Sequence, residues 1–222
     1  MDKRIISFCL WGDKPKYLVG AIKNAKLAQT IYSNWICRYY VGASVPKEII
    51  GALKEFYNVE VVDDPFGFDD WRCMFSRFLP ASESDVSVMI SRDTDSRLGN
   101  REFAAVQQWL DSPFKLHILR DHPWHGTKIL GGAWGVKRGL IPNIMDLINR
   151  FLKEDRYQID QEFLRDIIYP KYFSSAMVHD EIFDKKSFPT KRNGLEFVGR
   201  VFDEYDYPVI EHDQVLAQYL NG

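Results

Sequence analysis

The stretch "VSVMISRDTDSRL" (Val86–Leu98) ends an apolar run in two carboxylates one residue apart, Asp93 and Asp95, with Arg92 before them and Arg97 after. Carboxylates spaced i, i+2 on a turn can converge on one hard cation. Mn²⁺ and Mg²⁺ take oxygen ligands and keep positions open for phosphate oxygens. Arg92 and Arg97 would then pair with phosphate or fix the carboxylates. The competing reading is a solvated turn whose aspartates are tied up by the neighbouring arginines. Position favours the chemical reading. In an open α/β sheet ligands bind beyond the carboxyl ends of the strands, and an apolar strand delivers this pair to such an end.

Other residue types are less committed. His122 and His125 form an H-x-x-H pair in a proline-containing loop, but no second ligand pair with familiar zinc spacing accompanies them. That loop reads as an acceptor or sugar contact, or as plain surface. "GGAWGVKRG" (131–139) fails both the G-x-G-x-x-G and the Walker spacings, which excludes a dinucleotide fingerprint and a P-loop.

The elements that must position these groups alternate. "RIISFCLWG" is a buried first strand, followed by a helix over Tyr17–Tyr32 with Leu18, Ala21, Ile22, Ala25 and Ala28 on one face. "WICRYYVG" is a second strand, Pro46 opens a helix through Phe56, and "NVEVVDD" is a third strand. Trp71, Met74, Phe75, Phe78 and Leu79 predict a helix over Asp69–Leu79; then come the strand "DVSVMIS", a helix over Arg101–Leu110 and the strand "FKLHIL". Further on, the pattern predicts helices over Ile141–Leu152 and Asp160–Ile168, the second stopped before Pro170, short strands at "AMVHDE" and "LEFVGRVF", and a final helical turn. Strand–helix alternation of this kind predicts an α/β domain with a largely parallel sheet.

Composition sets outer limits. The 222 residues are 45% hydrophobic and 27% charged, as in a globular protein, and suit one domain spanning 1–222. A net charge of −2 argues against general electrostatic binding of nucleic acid. Ile5–Trp11 is too short for a signal-peptide core or a membrane span, and no other segment is long enough to span. Three widely spaced cysteines, Cys9, Cys37 and Cys73, suit reduced thiols in a cytoplasmic protein.

Taken in order, the segments resemble a family. "RFLPASESDVSVMISRDTDSRL" is similar to the donor-site segment of GT-A-fold glycosyltransferases, in particular the small glycosyltransferase domain of chlorella viruses and related bacterial enzymes. The likeness runs from "IISFCLWG" through "WICRYYVG" to "GGAWGVKRG" and "FVGRVFDE", so it covers most of the chain. It implies a GT-A-like, Rossmann-like three-layer α/β/α fold with a mixed, mostly parallel central sheet. It further implies a nucleotide-sugar-binding half (1–120) and an acceptor-side half (121–222).

The resemblance also implies roles. Asp93 and Asp95, on the turn through Thr94, would bind Mn²⁺ or Mg²⁺ and the diphosphate of a nucleotide sugar, with UDP the implied carrier; the acceptor would be a glycan or glycoprotein. Leu10, Trp11 and Gly12 would lie against the nucleotide, unless Trp11 is simply core. Arg77 falls in the donor-contact helix, with a surface arginine as the alternative for it and, more so, for Arg72. A late histidine often completes the metal shell; His179 is the first choice and His212 the second, while His117 reads as structural. Gly132, with Gly131, would permit close approach beneath the donor sugar, and Trp134 would stack on it or lie buried in a bulged strand. Asp160 in "QIDQEFL" would be a catalytic base or acceptor anchor, or only a helix N-cap. Two alternatives stay open: a nucleotidyltransferase or nucleotide-sugar hydrolase using the same carboxylates, and a non-catalytic carbohydrate-binding domain of the same fold.

Overall fold

The computed structural model describes residues 2–152 and 154–222. Seven strands form one sheet: β1 (Lys3–Leu10), β2 (Ile36–Val41), β3 (Val59–Asp63), β4 (Val86–Arg92), β5 (Leu116–Arg120), β6 (Ala133–Lys137) and β7 (Ala176–Asp180). Their order is β3-β2-β1-β4-β6-β5-β7. Only β6 runs against its neighbours, pairing antiparallel with β4 and β5; the other pairings are parallel. The sheet is mixed and mostly parallel, and the fold is GT-A-like.

β1 is buried from Ile5 to Leu10 without interruption, as expected of a central parallel strand covered on both faces. Alternation divides its side chains between two cores. Ile6, Phe8 and Leu10 join Val88 and Ile90 under α1 (Pro15–Ile31), α2 (Lys47–Lys54) and α3 (Asn100–Leu110). On the other face Ile5 joins Met89, Leu116 and Val136 under the segment Trp71–Ser82, α4 (Ile144–Phe151) and α5 (Ile159–Phe163).

Several elements depart from the sequence expectations. The segment Trp71–Ser82 is a 3₁₀ helix, not an α-helix. Phe75, Phe78 and Ala81, three apart, are all buried, and a three-residue repeat suits that tighter winding. The helix expected over Ile141–Leu152 begins only at Ile144, after Pro142 and Asn143. The helix expected to stop before Pro170 passes through it. α5 opens into a π turn over Leu164–Ile168 and continues as α6 (Tyr169–Tyr172), with Pro170 in the first turn of α6, where a missing N–H is tolerated. "LEFVGRVF" is not a strand: Gly199, at φ 82°, turns the chain, and only the single bridges Ser96–Val201 and Phe202–Pro208 remain. The final turn is a longer helix, α7 (Ile210–Asn221).

Trp134 belongs to the core and not to a ligand site. It is 0% exposed, and its ring meets Phe78 at 5.3 Å in an edge-on packing. Burial of so large a ring predicts that Trp134→Ala lowers stability by about 3–5 kcal/mol, measured by urea unfolding. A loss under about 1 kcal/mol would contradict this placement.

Candidate functional site

The carboxyl ends of β1 and β4 open on a cavity of about 390 Å³. β1 brings Leu10 and the turn Trp11–Gly12; β4 brings Asp93, Thr94 and Asp95; the 3₁₀ segment brings Arg77. The far wall is Gly131 and Gly132, just before β6, and Asp160 at the start of α5. Ten of the expected site residues therefore line one cavity, drawn from both halves of the chain.

Arg77 lies at its centre, 1% exposed. Its Nη1 donates to Asp93 Oδ1, and its Nη2 donates to Asp160 Oδ2 at 2.7 Å. Burial works against the guanidinium charge, but the Asp93 and Asp160 carboxylates outweigh it and hold the group protonated. Asp160 is 3% exposed; burial raises its pKa, opposed by Arg77. Two glycines make room for this arrangement. A Cβ at Gly131 would collide with the Asp160 carboxylate and Arg77 Nη2, and one at Gly132 would collide with the Asp93 carboxylate. Glycine there permits close backbone approach, which side chains would block.

The Asp pair differs in exposure. The Asp93 side chain is 43% exposed and that of Asp95 16%. Asp95 accepts from Lys16 Nζ at 3.0 Å. Its pKa is raised by burial first and by the Asp93 charge second, with Lys16 opposing. Two carboxylates on one turn thus face the cavity, each with a cationic partner on one side, and all their donors are hard oxygens. That set fits Mn²⁺ or Mg²⁺. Among the described residues no group of three or more His, Cys, Asp or Glu side chains is placed to hold a metal unaided. Such an ion would need oxygens from its ligand or from water, as Mg²⁺ commonly does.

Four expected residues are placed elsewhere. His179, on β7, is 2% exposed and held between His117 Nε2 and Gln108 Oε1, each at 2.8 Å, outside the cavity lining. It is a strand histidine satisfied by its neighbours. Arg92 points into the interior, pairing with Glu102 at 3.2 Å and donating to the Ser91 and Trp134 carbonyls. Arg97 turns away to Asp206 at 2.8 Å while bracing the Asp turn through the Thr94 and Ser96 carbonyls. For these two arginines the salt-bridge reading prevails over phosphate contact. Trp134 is core, as above.

Trp11 does face the cavity. It meets Trp71 edge-on at 5.1 Å, and Trp71 meets Tyr157 at 4.9 Å, giving an aromatic rim. Tyr157, Lys14 and Lys16 were absent from the sequence expectations, and Trp71 entered them only as a residue of the helical stripe. For the two lysines a signal existed: they fall in the turn and the start of α1 that follow β1, at the edge where the Asp pair was expected.

No protein-family model matches the sequence, and none of the curated proteins does. Solved structures of similar fold exist. One is a glycosyltransferase involved in the glycosylation of the major capsid of PBCV-1, with TM-score 0.54 and 13% identity over 81% of this chain and 82% of that one. A second is 4-diphosphocytidyl-2C-methyl-D-erythritol synthase from Anaerococcus prevotii, with TM-score 0.53 and 9% identity over 100% of this chain and 99% of that one. A third is a mannosyltransferase from Pyrobaculum calidifontis in complex with GDP-Man and Mn²⁺, with TM-score 0.50 and 12% identity over 81% of this chain and 55% of that one. At these identities the likeness establishes the fold.

The raised pKa of Asp95 has a thermodynamic sign. The folded state holds the proton more tightly than the unfolded chain, so stability is lost as pH rises from the unfolded carboxyl range through the folded value. At neutral pH the ionised group is a net cost. Asp95→Asn should therefore raise the melting temperature at pH 7. The gain should vanish below about pH 4. A lowered melting temperature at pH 7 would contradict this.

Proposed function

We propose that this chain is a metal-dependent glycosyltransferase that moves a sugar from a nucleotide-diphosphate donor, UDP-linked, to a hydroxyl of a glycan or glycoprotein. The observation that carries the reading is the convergence of Asp93 and Asp95 with the buried Arg77–Asp160 pair on one cavity at the carboxyl edge of the sheet. Ligands of open α/β sheets bind at that edge. Asp93 and Asp95 would hold Mn²⁺ or Mg²⁺, which when bound neutralises charge on a departing diphosphate.

The remaining residues have work to do in such a transfer. Trp11 offers a ring face to the nucleobase, and Leu10 and Gly12 allow the nucleoside to approach the backbone. Lys16, already beside Asp95, adds positive charge near the diphosphate. Asp160, buried, with raised proton affinity and fixed by Arg77, is placed to orient the sugar or to take the acceptor proton. No described helix is long and apolar enough to cross a membrane. Three free, buried thiols support a reducing compartment such as the cytoplasm.

A second reading, nucleotidyl transfer by the same carboxylates, draws support from the overlay of the full chain on the diphosphocytidyl-methylerythritol synthase. The products separate the two. Glycosyl transfer releases a nucleoside diphosphate, and nucleotidyl transfer releases inorganic diphosphate.

The test is a panel of nucleotide sugars measured for thermal stabilisation with and without Mn²⁺, since a ligand selective for the native state raises apparent stability. A UDP-sugar should raise the melting temperature only when the metal is present. Asp93→Ala should abolish that shift and lower transfer by about two orders of magnitude or more, because several kcal/mol of charge stabilisation go with the ion. Metal-independent binding, or undiminished transfer by Asp93→Ala, would refute the proposal.

A further inference from the structure

The H-x-x-H loop leaves the carboxyl end of β5 and returns at Leu130, Gly131 and Gly132 in the cavity wall. It therefore lies on the same sheet edge as the Asp pair. Its first residues are firmly held. Asp121 is 0% exposed and pairs with Arg101 and Arg192. The His125 ring accepts from the Asp121 N–H at 3.1 Å. His122, 0% exposed, accepts from the Trp124 N–H at 3.1 Å through Nδ1, and its Nε2 donates to the His212 carbonyl at 2.9 Å.

On this rigid support Trp124 is 55% exposed. Its indole is set edge-on against His212 at 4.7 Å and His122 at 5.5 Å. The ring is thus oriented although half its surface meets solvent. A large aromatic held in place and left open is suited to receive another apolar face. The donor side is tied to this loop through the backbone: Val201 lines the cavity and accepts from the Val209 N–H at 2.9 Å, and the Val209 carbonyl accepts from the His212 N–H at 3.2 Å. Burial keeps His122, His125 and His212 below their ordinary pKa, so the rings around Trp124 are neutral at pH 7. The nearby cations Lys16 and Arg200 are already paired, with Asp95 and Asp213. Such surroundings favour a neutral polyol over a charged partner: the indole takes the C–H face of a sugar ring, and the His212 ring nitrogens suit its hydroxyls.

We propose that Trp124 is the stacking platform for an uncharged sugar unit of the acceptor, beside His212 on the sheet edge that carries the cavity. This rests on the glycosyl-transfer reading above. The experiment uses the full chain, Mn²⁺, the donor identified by thermal stabilisation, and a panel of methyl hexopyranosides and pentopyranosides as acceptor probes. Nucleoside diphosphate release above the donor-only rate is followed. At least one methyl glycoside should accelerate release. Trp124→Ala should raise its KM about tenfold with kcat and the donor-induced thermal shift little changed, and Trp124→Phe should recover most of the loss. The melting temperature of each variant reports on its fold. An unchanged glycoside KM in Trp124→Ala would overturn the inference. So would donor binding in the wild type with no response to any glycoside, a result that leaves the transfer reading standing. Failure of every nucleotide sugar to bind would instead overturn that reading, and this inference with it.

Discussion

Arg77 keeps its charge in the interior because two carboxylates meet it there, Asp93 from the end of β4 and Asp160 from the start of α5. An unpaired guanidinium at that depth would be prohibitively costly, and breaking a buried pair by removing one partner typically costs about 3–5 kcal/mol. The constraint spreads outward. The 3₁₀ segment must present Arg77 on the sheet face, β4 must end where Asp93 can turn back, and α5 must begin beside it. The chain before β6 must also pass without side chains, which is why Gly131 and Gly132 stand there. The cavity is what remains open around this ion triplet.

The same triplet accounts for the electrostatic character of the site. Arg77 is shared between two acids, and Lys16 serves a third, Asp95. Burial then leaves Asp95 and Asp160 with raised proton affinity. A fold optimised for stability alone would not keep such groups together. Perturbed carboxylates gathered in one cleft are the arrangement expected where charge must be supplied to a ligand.

Much of the architecture was legible in the sequence because apolar runs and alternation report strand burial directly. β1, β4 and β7 stand where "RIISFCLWG", "DVSVMIS" and "AMVHDE" placed them. Asp93 and Asp95 were legible from their place after β4, and Gly132 and Asp160 from ordered resemblance. What failed depended on partners distant in sequence. Arg92 looks like any exposed arginine until Glu102 and the Trp134 carbonyl are seen around it. His179 looks like a ligand until Gln108 from α3 and His117 from β5 satisfy both its nitrogens. Trp134 was ambiguous because a glycine-rich strand suits a ligand-facing ring as well as a core one; Phe78 decides it. Pro170 misled because local rules forbid proline in a helix, whereas a π turn just before it shifts the hydrogen-bond register.

On the proposed function, a divalent ion and a nucleoside diphosphate meet the protein at the Asp93–Asp95 turn. Anomalous X-ray scattering from crystals soaked with Mn²⁺ and UDP tests it most directly. A manganese peak is expected against the carboxylates of Asp93 and Asp95, with diphosphate density beside it and the nucleoside running towards Trp11. Absence of manganese there, or a peak beside His117 and His179 instead, would contradict it.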